Sequence, residues 1–258
     1  MNFDRALNAR RVAATPVSAD EREVRVDLAG AYRLAAHHGW DDLIYTHISA
    51  RVPGKEDHFL INAFGMAFEE ITASSLVKVD LSGTIIGDSK SSINSGGFTI
   101  HSAVHEARPE VGCVLHLHPD AGMSIAMLEC GLLPLSQHAM MFHNRIGYHD
   151  YEGPALDLDE RQRLIADLGP HNAMILRNHG LLTAGKSVGE AFVRMFYLVK
   201  SATTQMQAMA CRSNLVTVSE AIAEKTARMH EGDSMPFGER EWPAMLRRLD
   251  RIDPTFRD

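Results

Sequence analysis

The chain has 258 residues, a formal net charge of −7, and 45 % hydrophobic against 23 % charged residues, the proportions of a globular protein with a sizeable core. The densest basic stretch, Arg247-Arg248 with Arg251, is broken by Asp250 and Asp253, so no basic face for nucleic acid is expected; no run of about 18 apolar residues suits a membrane span. Three irregularly spaced cysteines, Cys113, Cys130 and Cys211, argue against a disulfide framework, and the N-terminus lacks the apolar stretch of a secretory signal, so a cytoplasmic location is expected.

Residues 1–17 carry mixed charge without periodicity and read as a mobile arm. Ser18 with Glu21 forms a capping-box pattern, and Val24, Leu28, Ala31, Leu34 and Ala35 recur at helical spacing, which predicts a helix over 19–38 ended by Gly39. Strands are expected at 44–52, 58–62 and 77–81, with Ser82-Gly83 turning into a strand at 84–86. A helix over 98–108 closes at Pro109, a strand over 111–118 ends at Pro119, and residues 120–130 are helical again. Asp157 and Glu160 cap a helix to residue 168, stopped by Gly169-Pro170. Residues 173–176 and 181–184 form strands around the turn Arg177-Asn178-His179-Gly180. Ser187 with Glu190 repeats the capping pattern before a helix to about residue 211, and helices near 219–230 and 239–251 follow. Strands interleaved with helices indicate a layered α/β domain over 18–231. The weakest boundary, at 232–238, sets off a C-terminal helical extension, 232–258, that folds over its own or a neighbouring subunit.

Histidine is the unusual residue: there are fourteen, crowded between positions 101 and 179. In Val114-Leu115-His116-Leu117-His118-Pro119 the strand period puts His116 and His118 on one face and Leu115 and Leu117 on the other. By itself this pattern fits half of a metal site and a pair of ordinary polar residues equally well. A third ligand has to come from elsewhere. His179 is the best candidate, because Gly180 allows close backbone approach, although on its own it reads as a turn histidine in solvent. His101 and His105, four apart on a helix, read as a helix-face coincidence or a structural hydrogen-bonding pair. His37-His38 suits a helix C-terminus, and the methionines read as core filler.

The segments His116–Pro119 and Arg177-Asn178-His179-Gly180-Leu181 resemble the paired metal-binding segments of the class II aldolase/adducin family. Tyr45-Thr46-His47-Ile48-Ser49-Ala50-Arg51, His58-Phe59-Leu60-Ile61-Asn62, Phe64-Gly65, Phe98-Thr99-Ile100-His101 and Gly147-Tyr148-His149-Asp150-Tyr151 extend the likeness over about residues 25–210, closest to the adducin head and its bacterial relatives. The resemblance implies a three-layer α/β/α sandwich around a central, mostly antiparallel sheet, and one divalent ion on His116, His118 and His179. Zinc is the first choice of ion, with manganese, iron, nickel or cobalt as alternatives. It also implies a homotetramer with the metal pocket near a subunit interface.

The chain departs from that family in specific places. The sugar-phosphate aldolases carry a Ser-Ser-Glu segment whose serines help hold phosphate and whose glutamate acts as acid/base. Here the segment is Ser95-Gly96-Gly97, and glycine has no titratable group. The family's Gly-Asn-x-Ser turn corresponds to Thr46-His47-Ile48-Ser49, and its Thr-Gly pair to Phe64-Gly65. Cleavage of a sugar phosphate is therefore not expected. The first reading is a metal-dependent aldolase or decarboxylase. It would act on a small unphosphorylated oxo- or hydroxy-acid through a metal-stabilised enolate, with His138, His47 or a tyrosine such as Tyr148 or Tyr151 moving protons. Gly65, Ser95, Gly96 and Gly97 would line the substrate subsite, and His138 or His143 would pass near the metal. The alternative is a non-catalytic assembly module, as in the adducin head, retaining a relic metal site.

Overall fold

A computed structural model describes residues 10–12, 16–87, 91–153, 159–231 and 236–258. In chain order its elements are β1 (Arg11–Val12), α1 (Ala19–His37), β2 (His47–Arg51), β3 (His58–Ile61), β4 (Val77–Asp80), β5 (Ile85–Ile86), α2 (Ser95–Ala107), β6 (Cys113–Leu117), α3 (Asp120–Ala126), α4 (Gln137–Met140), β7 (Gly147–His149), α5 (Glu160–Leu168), β8 (Ala173–Leu176), β9 (Gly180–Gly185), α6 (Val188–Ala210), α7 (Glu220–Met229) and α8 (Glu241–Ile252). Among these described residues no helix is long and apolar enough to cross a membrane.

The strands form one sheet in the order β1-β5-β4-β3-β2-β6-β9-β8-β7. The outermost pair at each edge is parallel, and the pairs between are antiparallel. The α/β architecture with its largely antiparallel sheet is therefore as expected, and β6 and β8 are interior strands. Side-chain alternation sorts the two faces. Leu115 and Leu117 of β6 join Leu28 of α1 and Phe192 of α6 in one core. Val114 and Leu182 join Ile100 and Val104 of α2 and Leu164 and Leu168 of α5 in a second core on the other face. His116 alternates with Leu115 and Leu117, so it shares the α2 side of the sheet.

Several local expectations are corrected. Ser18 Oγ accepts from Glu21 N at 3.1 Å, but the Glu21 carboxylate takes Arg25 Nε at 3.0 Å and Lys78 Nζ at 2.8 Å, so the capping box is only half made. The same happens at α6, where Glu190 Oε2 accepts from Lys186 N. β2 starts at His47, not at residue 44, because Leu43 and Thr46 take left-handed backbone (φ 53° and 63°). α2 begins three residues earlier than the apolar periodicity suggested. Asn94 Oδ1 caps it by accepting from Gly96 N and Gly97 N, and the two glycines disguise the first turn. α3 stops at Ala126, short of residue 130, and α4, capped by Ser136, was not anticipated. Asp157 lies outside the described residues, and the helix behind it starts at Glu160.

Described segments toward both ends of the chain are tied in. Arg11–Val12, within the segment read as an arm, pairs parallel with β5, Ile85 N donating to Arg10 O at 2.7 Å. Beyond α8 the chain closes in a short 3-10 turn at Pro254–Arg257. Trp242, Leu249 and Phe256 are buried in the same core as α1. Ala73 N and Ser74 N donate to the carbonyls of Phe256 and Asp258, and Arg33 pairs with Asp253 at 3.0 Å. The C-terminal segment thus packs on its own subunit.

Candidate metal centre

The end of β6 brings the histidines together. His116 stands between its register partners His47 on β2 and Leu182 on β9, and His118 follows two residues later on the same face. His179 arrives from the β8–β9 turn, where Asn178 adopts a left-handed conformation (φ 55°) and His179 N donates to Leu176 O at 3.1 Å. The three ring centroids lie 4.7 to 4.9 Å apart. Gly180 is what lets the turn approach: a Cβ there would stand 2.7 Å from both His118 Cδ2 and Leu117 O.

Hydrogen bonds settle which nitrogens face inward. His116 Nδ1 donates to Leu181 O at 3.2 Å, and His118 Nδ1 pairs with Asp42 Oδ2 at 2.9 Å. Both Nε2 atoms are then turned toward each other, 3.2 Å apart. Two nitrogens about 2.0–2.1 Å from one tetrahedral ion stand roughly 3.3–3.4 Å apart, so the spacing fits a zinc-sized ion. The potential ligand atoms of His116, His118 and His179 all lie within 4.8 Å of one another. Burial, followed by the neighbouring imidazoles, pushes His116 well below the usual histidine range and His179 down to about 4. The two rings are therefore neutral at pH 7 and available as ligands without losing a proton.

The triad opens into a cavity of about 540 Å³ that is also lined by Asp42, Tyr45, His47, Asn94, Gly97 and Tyr151; among the described residues no Lys or Arg lines it. His47 is buried, which lowers its imidazole to about 3, and its Nε2 has no hydrogen-bond partner. Of the expected site residues, the structure brings His47, Gly96 and Gly97 to this cavity, together with Tyr151. Gly65 and Ser95 are not among its lining residues. His138 stacks on Tyr197 (5.0 Å, 14°) in a different cavity beside Phe237. Tyr148 accepts from Leu132 N at 3.1 Å with Arg177 over its ring, and it lines a third cavity together with His143. His101 and His105 do form a hydrogen-bonded pair through a shared partner: Ser49 Oγ lies 2.6 Å from His101 Nδ1 and 2.8 Å from His105 Nε2, all buried. Asp42, Tyr45 and Asn94 were missed as site residues. Asn94 carried a signal, as a helix-capping residue type before a glycine pair; Asp42 carried none, because its partner is remote in sequence.

The family model described as Class II Aldolase and Adducin N-terminal domain matches residues 26–206. A crystal structure of an aldolase II superfamily protein from Pseudomonas syringae is 49 % identical, with a TM-score of 0.89, over 94 % of this chain and 98 % of that one. An L-fuculose 1-phosphate aldolase from Glaciozyma antarctica PI12 is 27 % identical, with a TM-score of 0.83, over 96 % of each chain. Alpha-adducin of Rattus norvegicus is 40 % identical over 90 % of this chain, which spans 34 % of that longer protein. This chain belongs to the class II aldolase and adducin N-terminal domain family.

Proposed function

We propose that the protein is a metal-dependent lyase, of aldolase or decarboxylase type, acting on a small unphosphorylated oxo- or hydroxy-acid. The observation that carries this reading is the convergence of three imidazoles, two with Nε2 atoms 3.2 Å apart, in a cavity of about 540 Å³. His116, His118 and His179 would hold one divalent ion, zinc by preference. When bound, that ion supplies a Lewis acid for a substrate carbonyl or carboxylate. The chain's own residues would do the rest. Leu181 O and Asp42 hold two of the ligand rings in register. His47 and Tyr151 are the polar groups best placed to exchange a proton with a substrate in the cavity. The first turn of α2, at Gly96 and Gly97, brings the positive end of a helix to the same cavity, which suits a carboxylate. Three features speak against the sugar phosphate that the Glaciozyma antarctica protein is named for: no cationic side chain among the described lining residues, Gly97 at the position where the resemblance implies a glutamate, and Phe64 where it implies a phosphate contact.

A second reading, a non-catalytic assembly module with a relic metal site, draws on the 40 % identity to alpha-adducin and on Gly97. Under either reading we place the protein in the cytoplasm as a homotetramer of its own chain. The test is metal content per subunit after dialysis in wild type and in His118→Ala, followed by turnover on a panel of oxo and hydroxy acids with that metal loaded. The lyase reading expects about one ion per subunit, lost in the variant because two ligands remain, and turnover on at least one acid. Equal metal in both proteins sinks the triad. A loaded protein inert on the whole panel leaves the assembly module. Rapid cleavage of fuculose 1-phosphate overturns the unphosphorylated substrate.

A further inference from the structure

The helix that opens into the metal cavity carries a glycine where a side chain cannot fit. A Cβ at Gly97 would lie 2.5 Å from Cγ and 2.6 Å from Cε1 of His47, and closer still to Nδ1. Contacts that short do not occur between real atoms, so a side chain at 97 requires the ring to shift. His47 is itself buried. It sits on β2 directly opposite the ligand His116, its ring is 6.2 Å from that of His101, and only 4 % of its surface is exposed. Among the described residues its buried Nε2 has no hydrogen-bond partner.

We propose that His47 and Gly97 are a matched pair: the His47 imidazole fills the space that a side chain at position 97 would need, so that β2 and not α2 supplies the polar wall at this point of the metal cavity. The pair sets which polar group forms this wall of the cavity, an imidazole carried on β2 against the bare backbone of α2. This rests on the reading of the triad as a metal site, but its steric half stands or falls independently of turnover.

The experiment is a double-mutant cycle on the full chain. Alanine is the better residue in a helix, so Gly97→Ala would raise stability if space allowed. The pair instead expects Gly97→Ala to lower Tm by about 3–10 °C in the wild-type background. In the His47→Ala background the same change should leave Tm unchanged or raise it. An equal drop in both backgrounds overturns the pairing. The second readout uses cobalt(II) as the probe ion, whose visible bands report its ligands. His47→Ala alone should leave those bands in place. His47→Ala with Gly97→Glu should shift them, because position 97 now extends a carboxylate into the cavity. Bands unaltered in the double variant would mean that position 97 does not face the ion, and would overturn the placing of this wall beside the metal. A wild-type protein inert toward every acid tested would count against the lyase reading and leave both of these measurements decisive.

Discussion

Asp42 shows what a single residue adds to the site. Its Oδ2 lies 2.9 Å from His118 Nδ1, which leaves Nε2 of that ring for a metal. His116 gets the same tautomer from a neutral carbonyl, Leu181 O, at 3.2 Å. The two rings are thus oriented by unlike partners, and only the one on His118 carries a charge that a substitution can remove. Replacing Asp42 by Asn should weaken zinc binding about 10–100-fold. Zinc titration against a competing chelator measures this, with thermal melting of the metal-free protein as the control for folding. Unchanged affinity would mean that His118 is held by its packing against Gly180 alone. Gly180 itself was legible in the sequence as a close-approach residue. Asp42 was not, because it lies 76 positions from His118.

At the scale of the element, α2 is more than a support for the cavity. It presents His101 and His105 one turn apart to Ser49 on β2, and the shared hydroxyl ties helix to sheet. Burial, then the nearby Arg51 charge, lowers His105 to about 3 from an ordinary value of 6.5. The folded chain therefore refuses a proton that the unfolded chain accepts. The stability this contributes is complete above pH 6.5 and is lost progressively as the pH falls from 6.5 toward 3. One such group costs about 1.4 kcal/mol per pH unit in that window, or about 2 kcal/mol by pH 5. His105→Gln is expected to be less stable than wild type at pH 7.5, because it disturbs the Ser49 bond, but to lose less on acidification. Urea unfolding at pH 7.5, 6 and 5 reads the difference. Parallel loss in the two proteins would place the acid sensitivity elsewhere. The spacing of the two histidines on a helix was readable in advance; the serine that joins them was not, since it belongs to another element.

For the whole molecule, the C-terminal segment is part of the core. Phe256 is fully buried among residues of the α1–α6 core, and Asp253 pairs with Arg33 of α1. Phe256→Ala should cost about 3–5 kcal/mol, the range for removing a buried aromatic ring. Equilibrium urea unfolding is the measurement, and a loss below about 1 kcal/mol would mark the segment as a detachable extension. The sequence suggested a boundary ahead of this segment because glycines and a proline cluster at 232–238. Composition reports where a chain bends easily, not whether the two sides then pack together.

What the sequence by itself determined are features with a local cause. The strand period placed His116 and His118 on one face, Ser18 and Ser187 marked two helix starts, and Gly180 announced a close approach. Tertiary structure decided which of the remaining candidates line the cavity beside the triad. Antiparallel pairing of β2 with β6 set His47 opposite His116, whereas the packing of α4 took His138 to Tyr197, and Tyr148 spent its hydroxyl on Leu132 N. Strand register and helix docking arise from contacts between residues far apart in the chain, so no window of sequence contains them.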